Sequence, residues 1–364
     1  MRTILNMIVK NEAHIISRCL SSVRKLIDGW VIVDTGSTDG TQDRVRQALS
    51  DLPGKLYERP WVHFEENRNE ALELAKKEGD YLLMMDADDY LMIQDRFKLP
   101  ELIKDGYRVP QITKEAVPKS FHYLMLIKSS LPWKWKGRLH EELICPQAKN
   151  FETIESITHC CTTDGARSRN PKKLFKDLEV LEEAHLAEPN NSRYVQFLGL
   201  THEAVGQYPP ALRYFEKRLE MGGWDEELFY AQYKIADLQR KLGAAPEIFL
   251  KSYGKAHQMR PWRAEPLFWL TRHAIAEQNF SLGYLVSKEA ISIPFPASDT
   301  IAIESWIYEY GALLQFVKCS FQMRKYNECF SALERLRQIS NLPDKDKLAV
   351  EEVYPLVKRL TPSF

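Results

Sequence analysis

The run Leu82-Leu83-Met84-Met85-Asp86-Ala87-Asp88-Asp89 is apolar until it ends in three carboxylates separated by one alanine. This pattern reads as a buried strand that delivers acids to a sheet edge. Carboxylates crowded there repel one another, so the cluster is costly unless a cation or a cationic ligand occupies it. A divalent metal is the first expectation, and an all-oxygen donor set favours a hard ion over zinc. A second acidic loop, Asp34-Thr35-Gly36-Ser37-Thr38-Asp39-Gly40-Thr41, follows the apolar stretch Trp30 to Asp34. Loops at the carboxyl ends of strands build the binding crevice of an α/β sheet, so both acidic loops should open onto one cleft. Asp39-Gly40-Thr41 fits a turn and helix cap equally well, whereas Asp34 closes an apolar strand.

Such loops need a sheet behind them, and residues 1–165 alternate short apolar runs with amphipathic stretches as an α/β domain does. Ile4 to Val9, Trp30 to Asp34, Leu56 to Arg59 and Tyr81 to Met85 read as strands. Ala13 to Val23, Thr41 to Ala48 and Asn67 to Glu78 read as the helices between them. From Arg108 to Thr158 the pattern decays into β-like pieces such as Ser120 to Lys128, broken by Pro110, Pro118, Pro132 and Pro146. This is read as the second half of the same domain, carrying loops over the cleft.

From Pro171 onward strand signals nearly vanish. Helical stretches follow in pairs: Asn191 to Val205 with Pro209 to Met221, Glu226 to Leu242 with Pro246 to Gln258, Ala264 to Gln278 with Ser281 to Ile291, and Ile303 to Met323 with Asn327 to Ile339. Gly206 and Gly243 sit at equivalent turns, and small and aromatic residues such as Ala211, Tyr214 and Phe215 suit a helical hairpin. A period in the mid thirties is what a stacked helical solenoid requires. The stretch from Asn191 to Ile339 resembles tetratricopeptide repeats, with an irregular helical bundle as the plainer reading.

The whole chain of 364 residues suits two domains, an α/β domain over 1–165 and an all-α helical-repeat domain over 170–364. Its 50 basic and 50 acidic residues cancel, so no net field favours nucleic acid or an anionic membrane. No apolar run reaches the roughly 18 residues of a transmembrane segment, and Met1 to Lys10 is too short an apolar core for a secretion signal. The expected setting is cytoplasmic, or peripheral to the inner face of a membrane. Cys19, Cys145, Cys160, Cys161, Cys319 and Cys329 lack paired spacing and are read as free thiols. Cys160 and Cys161 beside His159 do not make a zinc site, because neighbours on an extended segment face opposite ways.

Four segments together carry a family resemblance: Met7-Ile8-Val9-Lys10-Asn11-Glu12, Val33-Asp34 to Thr41, Asn67-Arg68-Asn69-Glu70-Ala71 and Met85-Asp86-Ala87-Asp88-Asp89. In order and spacing the first ninety or so residues resemble glycosyltransferase family 2. The resemblance implies a GT-A, Rossmann-like fold that binds a nucleotide sugar, usually with inversion at the anomeric centre. It implies that Asp34 bonds the base, commonly uracil, while Val9 and Glu12 line the nucleoside pocket and Arg68 lies near base and diphosphate. Asp39 belongs to the same nucleotide-binding loop. Asp88 would hold Mn2+ or Mg2+ against the diphosphate, with Asp86 at the ribose or the metal's water shell. His159, placed after a last strand expected over Ile154 to Thr158, would complete that metal shell.

Inverting transfer also requires a base for the acceptor's proton. Trp133-Lys134-Trp135-Lys136-Gly137-Arg138-Leu139-His140-Glu141-Glu142 is the richest segment, although the family's usual Glu-Asp pair is missing. Glu141 leads as candidate, then His140, with Glu142 and Asp164 behind; a hydrogen-bonded core histidine is the plain reading of His140. Trp133 and Trp135 form either core or an acceptor wall. The expected activity is metal-dependent hexose transfer from a nucleotide sugar, UDP-linked, to a peptide, protein or glycan acceptor. The helical repeats would supply an acceptor surface or a homodimer contact. Rival readings are assembly of a cell-surface glycan such as lipopolysaccharide or capsule, with Phe121 to Leu131 meeting lipid, and a non-catalytic scaffold. A nucleotidyltransferase is disfavoured, since Lys10-Asn11-Glu12 lacks phosphate-loop glycines.

Overall fold

A computed structural model describes residues 1–95, 97–113 and 120–361, with the side chains of 113, 120 and 121 also outside the description. Pro118, expected to break a strand, and the side chain of Phe121 therefore fall outside it. The chain divides into two compact units, the first within 1–205 and the second from Gly206 onward.

In the first unit the elements are β1 (Thr3–Val9), α1 (Ile16–Val23), β2 (Gly29–Asp34), α2 (Thr41–Ala48), β3 (Gly54–Glu58), α3 (Phe64–Ala75) and β4 (Tyr81–Met84). There follow β5 (Tyr90–Ile93), β6 (Gly106–Thr113), β7 (Ser120–Lys128), β8 (Lys134–Lys136), β9 (Glu142–Ile144), β10 (Phe151–Thr153) and β11 (Ile157–Cys161), then α4 (Lys173–Ala187) and α5 (Ser192–Ala204). Among the described residues the main sheet has the order β3-β2-β1-β4-β7-β6-β11-β5, with β10 beside β6 and β8 paired only to β9. β1 runs parallel to β2 and β4, while β7 is antiparallel to β4 and β6.

The central strands β1, β2 and β4 are apolar on both faces because helices cover both. Leu5, Met7 and Val9 pack with Ile16, Leu20 and Val45 on one side. Ile4, Val31, Leu82 and Met84 pack with Leu72, Ala75 and Trp133 on the other. Period-two alternation thus fills two layers from the same strands. Register places Val9 beside Asp34 and Asn6 beside Met84, so the Asp34 and Asp86 loops leave from one edge of the sheet, as the sequence predicts.

Several boundaries differ from expectation, among them α1, which starts at Ile16 rather than Ala13, and β3, which spans Gly54–Glu58 rather than Leu56 to Arg59; two others bear on the site. Helix α3 starts at Phe64 rather than Asn67, because the His63 ring accepts from the Glu66 amide and caps it, with Glu65 and Glu66 suiting the positive helix end. The last strand is Ile157–Cys161 rather than Ile154 to Thr158, so His159 lies within it, paired to Leu91 and Gln111 on either side.

The second unit contains α6 (Tyr208–Glu220), α7 (Asp225–Lys241), α8 (Pro246–Met259), α9 (Glu265–Ala276), α10 (Phe280–Ala290), α11 (Ala312–Gln322), α12 (Tyr326–Arg337) and α13 (Asp344–Leu360). Consecutive helices pack on one another, as a stack of hairpins requires. Prolines open α6, α8 and α9, where a missing amide costs nothing. Gly243 ends α7 at φ +74, a conformation glycine adopts without strain. The expected helix from Ile303 begins instead as a π turn at Ile307–Gly311, and α13 continues the stack beyond Ile339 despite Pro355. Among the described residues no helix is long and apolar enough to cross a membrane.

Candidate functional site

A cavity of about 740 Å³ opens at the carboxyl end of the first unit's parallel strands. Val9 to Glu12 at the end of β1, Trp61 to Phe64 at the start of α3, Arg68, Asp86 to Asp88 and Arg138 to Glu141 line it. Helix α4 adds Lys173, Lys176, Asp177 and Val180. Expected site residues separated by up to 132 positions in sequence, Val9 to Glu141, thus share one wall.

Arg68 is the hub. Its Nη2 donates to Asp86 Oδ1 at 2.7 Å and its Nε to Glu141 Oε1 at 3.0 Å. The guanidinium lies 4.9 Å from the Trp135 ring and 5.9 Å from Phe64. Burial works against ionising Asp86, but Arg68 outweighs it and holds that carboxyl below its ordinary range. Asp88 has no such partner: among the described residues no cation comes within ion-pair distance of its carboxylate. Burial first, then the charges of Asp89 and Asp86, push its carboxyl up to about 7. Glu12 is also raised, by burial, although the Ala166 amide donates to both its oxygens at 3.2 Å.

The segment after β11 lies against this cluster. Arg18 Nη1 donates to Asp164 Oδ2 at 2.6 Å, and His14 Nε2 stands 2.9 Å from the Asp164 carbonyl. That ion pair holds Asp164 well below the usual carboxylate range. A side chain at Gly165 would put its Cβ 2.5 Å from Asp88 Oδ2, so the backbone there approaches the carboxylate as only glycine allows.

Asp34 is 1% exposed. Its Oδ1 accepts from the amides of Gly36 and Ser37 at 2.9 and 2.8 Å, while its Oδ2 is buried with no hydrogen-bond partner among the described residues. A buried acceptor of this kind calls for a donor group. Asp39 accepts from the Ala13 amide and from the amide and hydroxyl of Thr41, the turn-and-cap arrangement; neither Asp34 nor Asp39 is on the cavity wall, which Thr35 reaches. Val9 lines the cavity, with its carbonyl taken by the Thr35 amide at 2.9 Å.

The remaining candidates are spread about. Glu141 lines the cavity, tied to Arg68. His140 also lines it, at φ +54, its ring stacked 4.0 Å from Phe197 and its carbonyl accepting from Arg193. Burial, aided by Lys173, lowers its imidazole to about 4, so it is neutral at physiological pH. Glu142 sits exposed in β9. Trp133 is core, 1% exposed, whereas Trp135 packs on Arg68. His159 is buried in the sheet between Gln111 and Asp89. Burial beside Asp89 keeps Cys161 a protonated thiol, and among the described residues no group of three or more His, Cys, Asp or Glu is arranged to hold a metal. Asp88 and Asp86 fit a cation that draws its other ligands from a bound diphosphate and water.

Sequence reasoning missed Arg18 and Gly165. Arg18 looks like any amphipathic-helix arginine, and Gly165 like any loop glycine; only the fold brings them to Asp88.

The architecture is that of an α/β unit whose binding crevice lies at the strand ends, followed by a helical stack. Residues 5–170 match the family model described as Glycosyl transferase family 2. The prophage-derived glycosyltransferase SunS of Bacillus subtilis is 24% identical over 224 residues, 58% of this chain and 52% of its own length. A TPR repeat-containing protein of Synechococcus elongatus is 36% identical over 91 residues, 25% of this chain and 21% of its own. The chain thus spans about half or less of these relatives. The Staphylococcus aureus TarS fragment 1–349, solved with UDP-GlcNAc, aligns at a TM-score of 0.40 with 15% identity, covering 68% of this chain and 93% of that one.

Proposed function

We propose that the first unit is a metal-dependent, inverting glycosyltransferase domain that moves a hexose from a uridine diphosphate sugar to a peptide, protein or glycan acceptor. The observation that carries this reading is the Asp88 carboxylate, uncompensated beside Asp86 on the cavity wall. A divalent ion there would stabilise the charge growing on the leaving diphosphate. Asp34 supports the nucleotide end, since its buried Oδ2, with no hydrogen-bond partner among the described residues, offers an acceptor for a base N–H. Arg68, charged and pinned between rings, orients Asp86 and Glu141.

Glu141 is the proposed base: it lines the cavity, and Arg68 fixes the direction of the carboxylate that takes the acceptor's proton. The division into a catalytic domain over 1–165 and a helical-repeat domain over 170–364 is part of the same proposal, with α4 contributing cavity wall. The name of the Bacillus relative supports glycosyl transfer as the class of activity. A nucleotide-sugar-binding scaffold is the second reading, favoured by the pairing of Glu141 with Arg68, and it predicts binding without turnover.

Calorimetric titration with UDP, with and without Mn2+, on wild type and Asp88→Ala tests the proposal. Metal-dependent binding that the substitution abolishes is expected; no binding with any divalent metal would sink the uridine nucleotide. Glu141→Gln is expected to keep UDP binding and lose sugar transfer, whereas unchanged transfer would remove Glu141 as the base.

A further inference from the structure

His159 is 1% exposed in the middle of β11, its ring stacked on Tyr123 at 4.1 Å with the planes 9° apart. Tyr123 in turn donates its hydroxyl to the Met84 carbonyl, the last residue of β4, at 3.1 Å. Gln111 Nε2 lies 2.9 Å from His159 Nδ1, so the amide donates and Nδ1 accepts. The ring proton is left on Nε2, which stands 3.0 Å from Asp89 Oδ2 but off the line of a hydrogen bond, so the contact to Asp89 is electrostatic. Asp89 Oδ1 accepts from the Thr162 amide at 3.0 Å, and the Thr162 hydroxyl, with one proton to give, lies within reach of both the Asp88 carbonyl, at 2.8 Å, and Asp164 Oδ1. Arg18 Nη2 donates to that same carbonyl at 2.5 Å.

We propose that His159 is a positioning residue that holds the Asp86–Asp89 turn through Asp89 and Thr162, and does not ligate the cation. This inference rests on the metal-dependent reading above. A ligating imidazole needs a free nitrogen lone pair, and here Gln111 engages one nitrogen while the other carries the proton facing Asp89. Coordination would require breaking one of these contacts in a site closed to solvent. Drawing Asp89 inward also relieves the repulsion in the acid cluster, leaving Asp88 as the carboxylate that approaches Gly165 at the cavity.

The test uses the full chain with Mn2+ and UDP in nitrogen-free buffer. Electron spin echo modulation of wild type is expected to lack the 14N signal of a coordinated imidazole. Manganese affinity is expected to fall about tenfold or more in His159→Ala, the range for residues behind a ligand, and to be restored to within about threefold in His159→Gln, which keeps a donor toward Asp89. A coordinated-imidazole signal in wild type, or unchanged affinity in His159→Ala, overturns the proposal. If wild type binds no Mn2+ with UDP, the metal-dependent reading fails instead. Long-range 1H–15N spectra of the metal-free chain then still decide the geometry: a proton on Nε2 supports it, and a proton on Nδ1 overturns it.

Discussion

Each unit contains a cluster of charges, and the two are built on opposite terms. In the helical unit Arg263, 1% exposed, donates to Glu265 at 2.7 Å and Asp299 at 3.2 Å and lies over the Phe229 ring. Arg260 bonds Asp299 from the other side at 2.5 Å, and Tyr308 donates to Glu265 at 2.7 Å. Burial penalises Asp299, yet Arg260, Trp262 and Arg263 together hold its carboxyl below the ordinary range. In the α/β unit Asp86 has Arg68 and Asp89 faces the His159 ring, but among the described residues Asp88 has no cation, and its carboxyl is pushed up to about 7. A cluster satisfied from within makes structure, and one left a charge short makes a site.

The strongest way to break this comparison is Arg263→Ala, which takes a guanidinium from two buried acids and leaves Glu265 with the Tyr308 hydroxyl but no cation among the described residues. It is expected to cost about 3–5 kcal/mol of unfolding free energy in denaturant titration, with Mn2+-dependent UDP binding retained by the folded chain. A loss below about 1 kcal/mol would show that this network, too, is not needed for the fold.

Asp88→Asn sharpens the other side. A carboxyl raised to about 7 in the folded state is penalised above that pH, and the penalty fades as pH falls toward its ordinary value. The metal-free variant is therefore expected to exceed wild type by up to about 2 kcal/mol at pH 8, after discounting for partial exposure, and to match it near pH 4. Equal stability at both pH values would remove the idea of an uncompensated charge.

Gly165→Ala is a smaller perturbation. Its methyl group would crowd Asp88 Oδ2, so Mn2+ affinity measured with UDP is expected to drop about tenfold with little change in unfolding. Trp135→Leu, which removes one ring from Arg68, is expected to weaken UDP binding only about threefold to tenfold, on the scale of one cation–π contact. Unchanged binding there would mean that the ion pairs to Asp86 and Glu141 orient Arg68 by themselves.

The elements around the site were legible where one physical signal dominated. Strands β1 and β2 and helix α2 appear where their apolar runs and caps predict, and β7 spans the predicted residues Ser120 to Lys128. The start of α3 was not, because a histidine ring replaces the usual Ser, Thr, Asp or Asn cap. The last strand shifted because His159 looked like an exposed ligand when it is a buried polar core residue. Strands β8, β9 and β10, three residues each, are too short for a period to show.

The sequence by itself determined which residues could do chemistry, since carboxylates ending apolar strands carry their meaning in residue type and spacing alone. It also determined that a helical stack follows the sheet, because turn glycines and first-turn prolines are local signals. Only the tertiary structure decided which acid is left without a partner. That depends on where Arg68, Arg18 and His159 arrive from distant elements, and charge compensation is a property of distances that linear order does not encode.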